Sequence, residues 1–448
     1  MTVLATAGIL HAKPHLDAGN WIPIRWWDAS ARSLALLENS PINCLVLPES
    51  IRTDELIREA RRRKLAVLAL ASSLEEARRV NLAGFDGVVL EGEFAGGFDA
   101  PSEKQPIRLP LRDQVQFAAD APVIGTSQGL WPGLQIEHDG KVLAGPSSQP
   151  WVFTNAGFLQ FARASTDRPF WISVRPPSGS VFLPSRYVEA IADAAISGAR
   201  WIITLDADLA RRISAREPAA LTGWKTIVTA VKYFEIPEWR GYRPYATLAL
   251  VQDKNSGGLL SGGLLDLMSS QHTAVRSIAT SRLDPEKLQG VRIVIDVDPG
   301  AASSPVLAEF RRDDGIVLEP PAEGRFPMLA AGQITLTPLQ VNHLQGLWEL
   351  IYRTTLRKNF GSRVFNVNGT LTRVLGNSGG SSMLVHLVNY TEYEKTDPVT
   401  VHVLGEWKRA RLYAPGERVQ ELQLYPVEGG MGVDIQRMKV VATVRVDR

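Results

Sequence analysis

Two stretches of the chain run an apolar segment directly into a pair of acids. One is FDGVVLEGEF (85–94), ending on Glu91 and Glu93, and the other is WIITLDADL (201–209), ending on Asp206 and Asp208. If each strand continues, residues at i and i+2 point to the same face, so one member of each pair can reach a shared cavity. Two facing carboxylates are the minimum equipment for cleaving a glycosidic bond, one as proton donor and the other as nucleophile or as base for water. Arg25 and Asp28, Gln128 and Trp131, and Arg175 stand after other apolar runs in the same part of the chain. They are candidate ligand-binding residues, with the two arginines suited to an anionic or hydroxyl-rich molecule. Trp131 and Trp151 could stack on sugar faces, and Asn155 lies on the same long connection. The competing expectation is structural: the acids cap the helices that follow, or pair with Arg25, Arg175 and Arg200. Spacing alone leaves both open.

Residues of this kind have to be positioned by strands. Eight short apolar segments, at 21–27, 42–47, 65–71, 87–90, 107–109, 123–125, 170–174 and 201–205, alternate with helix-like stretches such as 53–63, 74–83 and 187–197. That alternation over just over 200 residues predicts a TIM-like (β/α)₈ barrel across 1–236, whose reactive groups sit at the C-terminal ends of its strands. Without the segment at 107–109 the barrel would be open. The longest connection, 125–169, contains a predicted hairpin around Asp139-Gly140 and a helix at 158–164, and is expected to wall a site. A helical region follows to about Phe234, interrupted at Pro218.

A strand at 248–251, a glycine-rich loop (Gly257, Gly258, Gly262, Gly263) and an apolar helix predict a second, flavodoxin-like α/β domain over 245–333. Those glycines lack the Lys and Ser/Thr of a phosphate loop and read as a tight turn and close helix contact. From 334 to 448 a helix at 339–354 precedes short alternating strands at 363–375, 383–388, 400–404, 410–413, 421–425 and 438–446, predicting an antiparallel β-sandwich.

Composition narrows the function classes. A chain of 448 residues implies two or three domains, and a net charge of +2 gives no electrostatic case for nucleic acid. The single cysteine, Cys44, excludes a disulfide or a thiol pair and is expected as a buried apolar side chain. The histidines, 11, 15, 138, 272, 343, 386 and 402, show no metal-ligand spacing, so no metal or cofactor is expected, and His272 is read as structural. No apolar run is long enough to span a bilayer, and the first twelve residues are a poor signal peptide, which leaves the compartment open.

The middle segment, LALVQDKNSGGLLSGGLLDLM with VRIVIDVDPG and GIVLEPP, resembles the class I glutamine-amidotransferase-like, or trimerisation, domain of trimeric β-galactosidase-type glycoside hydrolases. The tail, MLVHLVNYTEYEKTDPVTVHVLG followed by ARLYAPG, resembles the C-terminal β domain of many glycosidases. The resemblance implies a bacterial carbohydrate-active hydrolase, a sugar substrate and a homo-oligomer, trimer or dimer, assembled through the middle domain. Two departures stand beside it. The middle segment has no cysteine to serve as an amidotransferase nucleophile, and no Asn-Glu pair follows the fourth barrel strand. The family's catalytic residues are therefore not carried over, and the chain resembles a separate branch of barrel proteins. The reading from the residues is a glycoside hydrolase-like protein with Glu91 as acid/base and Asp206 as the partner carboxylate, and a non-catalytic carbohydrate-binding or assembly protein on the same scaffold as the alternative.

Overall fold

The computed structural model describes residues 18–80, 84–97, 106–136, 139–142, 151–254, 256, 258–298, 301–319, 332–355, 360–391 and 393–448. The N-terminal segment considered as a leader, His11, His15, His138, Gly257 and the end of the helix expected to reach residue 83 lie outside them.

Eight parallel strands form the first unit: β1 (Pro23–Arg25), β2 (Cys44–Leu47), β3 (Ala66–Ala71), β4 (Gly87–Glu91), β5 (Ile107–Leu109), β6 (Ile124–Thr126), β7 (Phe170–Ile172) and β8 (Arg200–Trp201). They pair in sequence order. A parallel bridge between Ile24 and Ile203 closes the ring, with Arg25 N donating to Ile203 O at 2.8 Å and Ile203 N to Pro23 O at 3.1 Å. The expected barrel is therefore present, and the short β5 is one of its strands.

Period-two alternation sorts the strand residues. Val46, Leu68, Leu70, Val89, Ile107, Leu109 and Trp171 pack together on the axis. Their neighbours Leu45, Leu47, Val67, Ala69, Val88 and Leu90 pack outward under the helices. Cys44 belongs to the axial set and is fully buried, and burial pushes its thiol pKa well up. The covering helices are uneven. Asp54–Arg62 is capped by Thr53, whose hydroxyl accepts from Leu56 N, and Leu74–Arg79 is capped by Ser73 in the same way. Each such cap contributes about 1 kcal/mol. The later helices, Ala156–Ser165, Pro184–Ile196, Ala207–Ser214 and Pro218–Phe234, supply most of the helical cover. The turn at Asp139-Gly140 does join an antiparallel bridge between Ile136 and Val142.

The second unit is a four-stranded parallel sheet: Arg276–Ile278, Leu248–Val251, Ile293–Asp296, Ile316–Leu318, in that spatial order. Its helix Leu259–Ser270 crosses Ala156–Ser165 of the barrel so closely that a Cβ on Gly157 would lie 2.0 Å from Gly262 O. Gly258, at φ +83°, makes the turn into that helix. The glycines thus serve backbone approach, which no larger residue permits.

The third unit packs a six-stranded antiparallel sheet on a four-stranded one, with Val374, Val385 and Val444 of the first against Val364, Val401 and Val433 of the second. Its edge strand Arg243–Pro244 comes from the segment between the barrel and the middle unit. The strand Gly430–Ile435 occupies a stretch expected to be turn. Side chains tie this unit to the others: Tyr390 donates to Asp193 Oδ1 at 2.8 Å, His272 Nδ1 meets Thr372 Oγ1 at 2.8 Å, and Arg373 donates to Val275 O at 3.1 Å. Among the described residues no helix is long and apolar enough to cross a membrane, and no cluster of three His, Cys, Asp or Glu is placed to hold a metal.

Candidate active site

The axial register fixes which polar residues reach the C-terminal mouth of the barrel. Glu91 is two residues after the axial Val89, Ser72 two after Leu70, and Ser173 two after Trp171, with Arg175 two further on. Arg25, next to the outward Ile24, faces the axis as well. These five side chains meet. Arg25 Nη2 donates to both Glu91 oxygens, at 2.6 and 2.8 Å, and lies 3.3 Å from Ser173 Oγ. Ser173 Oγ donates to Glu91 Oε1 at 2.5 Å. Arg175 Nη2 reaches Glu91 Oε2 at 3.0 Å and Ser72 Oγ at 2.6 Å.

Glu91 is 7 % exposed. Burial alone would raise its pKa, but the Arg25 charge, the Ser173 hydrogen bond and Arg175 outweigh it and hold the carboxyl below the ordinary range. Arg25 is pushed down by burial, an effect that Glu91 opposes and Arg175 adds to. A guanidinium stays charged through such shifts. Its Nε is buried without a partner. Arg175 keeps 56 % of its side chain exposed, so it is the member of the group that meets solvent.

The other predicted residues are placed differently. Neither strand continues far enough for its i, i+2 acids to share a face. After Glu91 the chain turns at Gly92, φ +120°, and Glu93 opens a 3₁₀ turn as an exposed side chain. After β8 the chain enters helix Ala207–Ser214, and Asp206 becomes its N-cap. Asp206 accepts from Leu209 N at 2.9 Å, Tyr187 Oη at 2.5 Å and Phe182 N at 3.3 Å. Burial and that carboxylate push the tyrosine pKa far up. Asp208 pairs with Arg211 and Arg212 on the outer surface, at 2.7 and 3.5 Å. Asp28 accepts from Ser30 N and Ser214 Oγ, tying the loop after β1 to the same helix.

Gln128 and Asn155 hold Arg112, and Gln128 and Arg112 line the cleft beside Trp151. Arg112 donates from its backbone to Gln128 Oε1 (2.8 Å), from Nε to Gln128 O (2.7 Å) and from Nη2 to Asn155 Oδ1 (2.9 Å). Asn155 also donates to Asp193 and to Leu130 O, so both ends of its amide are used. Trp131 packs among Phe182, Tyr187 and Trp201, with ring centroids at 4.5, 5.5 and 4.8 Å, and its indole N–H meets Arg175 O at 3.3 Å. Trp151 packs against the core of the middle unit, beside a narrow cleft of about 80 Å³ that also holds Asp266. The sequence reading missed Ser72 and Ser173. Ser173 carried a signal, since SVR places it two residues before Arg175 on the same strand extension.

No protein-family model matches the chain, and no curated protein resembles it in sequence. Solved structures resemble it in fold. The structure of α-L-fucosidase isoenzyme 2 from Paenibacillus thiaminolyticus aligns over 96 % of this chain and 99 % of its own, with a TM-score of 0.59 and 10 % identity. A GH42 β-galactosidase from G. stearothermophilus (TM-score 0.41, 10 % identity, 88 % of this chain and 66 % of that one) and a GH42 exo-carrageenase from Bacteroides ovatus (0.44, 11 %, 88 % and 54 %) match too distantly to carry an argument. The chain thus shares a fold with the fucosidase, a parallel eight-stranded barrel followed by further sheets. Within it the likeness to the fucosidase spans nearly the whole of both chains and is one of fold.

Proposed function

We propose that this chain is a glycoside hydrolase-like protein that takes a carbohydrate at the mouth of its barrel, where Glu91 acts as an anion. The supporting observation is the position of Glu91, buried at the axial end of β4 between Arg25 and Arg175. A proton donor for glycoside cleavage needs a raised pKa, whereas a nucleophile or a stabiliser of the cationic transition state needs to be ionised. The surroundings of Glu91 favour the second role. Arg175, the exposed member, would meet the hydroxyls of the sugar, and Arg25 would hold the carboxylate from behind.

Glu91 is not kept as the acid/base, because the arginines favour its ionised form, and Asp206 is not kept as its partner carboxylate, because it caps helix Ala207–Ser214 and makes no contact with Glu91, Arg25 or Arg175 among the described residues. With Glu91 working alone, turnover is expected on 2,4-dinitrophenyl glycosides, whose leaving group departs without a proton. Turnover on the corresponding alkyl glycosides should be lower by orders of magnitude, and Glu91→Gln should lower the first activity by at least about a hundredfold. The spent Asp206 also favours the second reading, a carbohydrate-binding protein without turnover. Saturable binding of a sugar with no release of dinitrophenol across the panel would select that reading.

A further inference from the structure

A second cavity, of about 560 Å³, lies far along the chain from the barrel mouth, where the end of helix Leu259–Ser270, the helix Pro338–Thr355 and the strand Ser362–Phe365 meet. Three aromatic rings form one wall. Trp348 and Phe360 are stacked at 6.2 Å and 21°, and Tyr352 lies 5.9 Å from the first and 6.0 Å from the second. Tyr352 is 38 % exposed, so this wall is open to a ligand rather than closed into the core.

Arg363 stands on the facing strand. Its guanidinium lies over the Phe365 ring at 5.9 Å, and among the described residues it makes no hydrogen bond and no ion pair. An arginine held on a ring with all five donors free is prepared to bind a planar anion. The rim adds a carboxylate, Glu349, loosely paired with Arg353 at 3.3 Å and 60 % exposed.

His272, at the floor, reports on how the cavity is built. It sits in the left-handed region at φ +56°, directly after a helix end, a position where glycine is the unstrained choice. Its side chain is used: Nδ1 bonds Thr372 of the sandwich, while Nε2 is buried without a partner. This contact fixes the middle unit against the six-stranded sheet, which packs on the four-stranded sheet that carries Arg363.

We propose that this cavity is a second carbohydrate site that takes a sugar bearing a carboxylate, with a ring face on Tyr352 and the carboxylate on Arg363. Aromatic faces bind the C–H side of a pyranose, and the fork of an arginine matches a carboxylate. Glu349, paired with Arg353 on the same rim, accepts from the sugar's hydroxyls. The site stands independently of whether the barrel turns over.

The test is calorimetric titration of the full chain with trigalacturonate. Binding is expected to weaken at least tenfold in both Tyr352→Ala and Arg363→Gln, and to be unchanged in Asp208→Ala, whose carboxylate pairs with Arg211 on an exposed face. Both altered side chains reach solvent, and matching melting curves would show that the fold is kept. The neutral trisaccharide and inorganic sulfate should bind at least tenfold more weakly than trigalacturonate. No binding of trigalacturonate, or equal binding by the Tyr352 and Arg363 variants, overturns the proposal. So does tighter binding of sulfate or of adenosine monophosphate. Loss of binding only in Arg175→Ala would place the ligand in the barrel, overturning this site while supporting the barrel reading.

Discussion

Glu91 and Asp206 arise from the same kind of sequence, an apolar run ending on two acids, yet they finish in different places. Glu91 follows a strand that remains paired up to its own position, with the register Glu91 to Leu109, so its side chain keeps the axial direction set by Val89. Asp206 lies beyond the last ladder contact of β8, at Ile203, and the backbone has already turned to start a helix. One acid is held by two arginines and a serine at the end of an axial strand. The other caps a helix and bonds a tyrosine hydroxyl. The pairing of the strand, rather than the acid pattern, decides whether a carboxylate reaches a barrel site.

The difference can be broken experimentally, beginning with the larger effect. Glu91→Ala strands the buried Arg25 guanidinium, which is 10 % exposed, and is expected to cost about 3 to 5 kcal/mol in denaturant unfolding. Arg25→Met combined with Glu91→Leu should recover most of that loss, because no uncompensated charge is left. Asp206→Ala removes the cap and orphans the Tyr187 hydroxyl, for an expected loss of about 2 to 4 kcal/mol. It should leave sugar binding at the barrel intact. Asp208→Ala, on an exposed face, is expected to change stability by no more than about 0.5 kcal/mol.

A pH series sharpens the same contrast through sign. Glu91 has a folded pKa below its unfolded value, so its contribution is present above the unfolded value of about 4.3 and is lost as pH falls below it. Asp266 is the opposite case. It accepts from Thr154 Oγ1 at 2.6 Å and Gly157 N at 2.7 Å, but burial, with Asp193 nearby, raises it to about 7. The folded state therefore binds its proton more tightly than the unfolded chain does. Stability is expected to fall as pH rises from about 4 to about 7, and Asp266→Asn should flatten that slope in melting curves.

Much of the architecture was legible in the sequence, and the reason is physical. Parallel strands buried on both faces leave near-continuous apolar runs, such as 66–71 and 248–251, bounded by turn residues. The cap at Thr53 and the glycines at the helix crossing also carry local signals. The site was legible only in part. Arg25, Glu91 and Arg175 were picked out at strand ends, but the alternation that brings Ser72 and Ser173 to them depends on where pairing stops. Glu93 and Asp208 lie off the axial face for that reason: a glycine at φ +120° and a helix start end the alternation. Asn155 and Gln128 were singled out as ligand contacts, yet the fold uses them to hold Arg112, a long-range partnership that leaves no local pattern. The strand Gly430–Ile435 was hidden by its glycines, which the sheet requires because a Cβ on Gly430 would lie 2.0 Å from Val403 O.

Glu91 as an anion held between two arginines is the central claim to test. A carbon-13 titration of the glutamate side-chain carboxyls, with the Glu91 resonance assigned by its loss in Glu91→Gln, measures this directly. The predicted midpoint lies below the ordinary glutamate value of about 4.3. A midpoint above about 5.5 would mean a protonatable acid in that position, and would contradict both the geometry described and the role proposed for it.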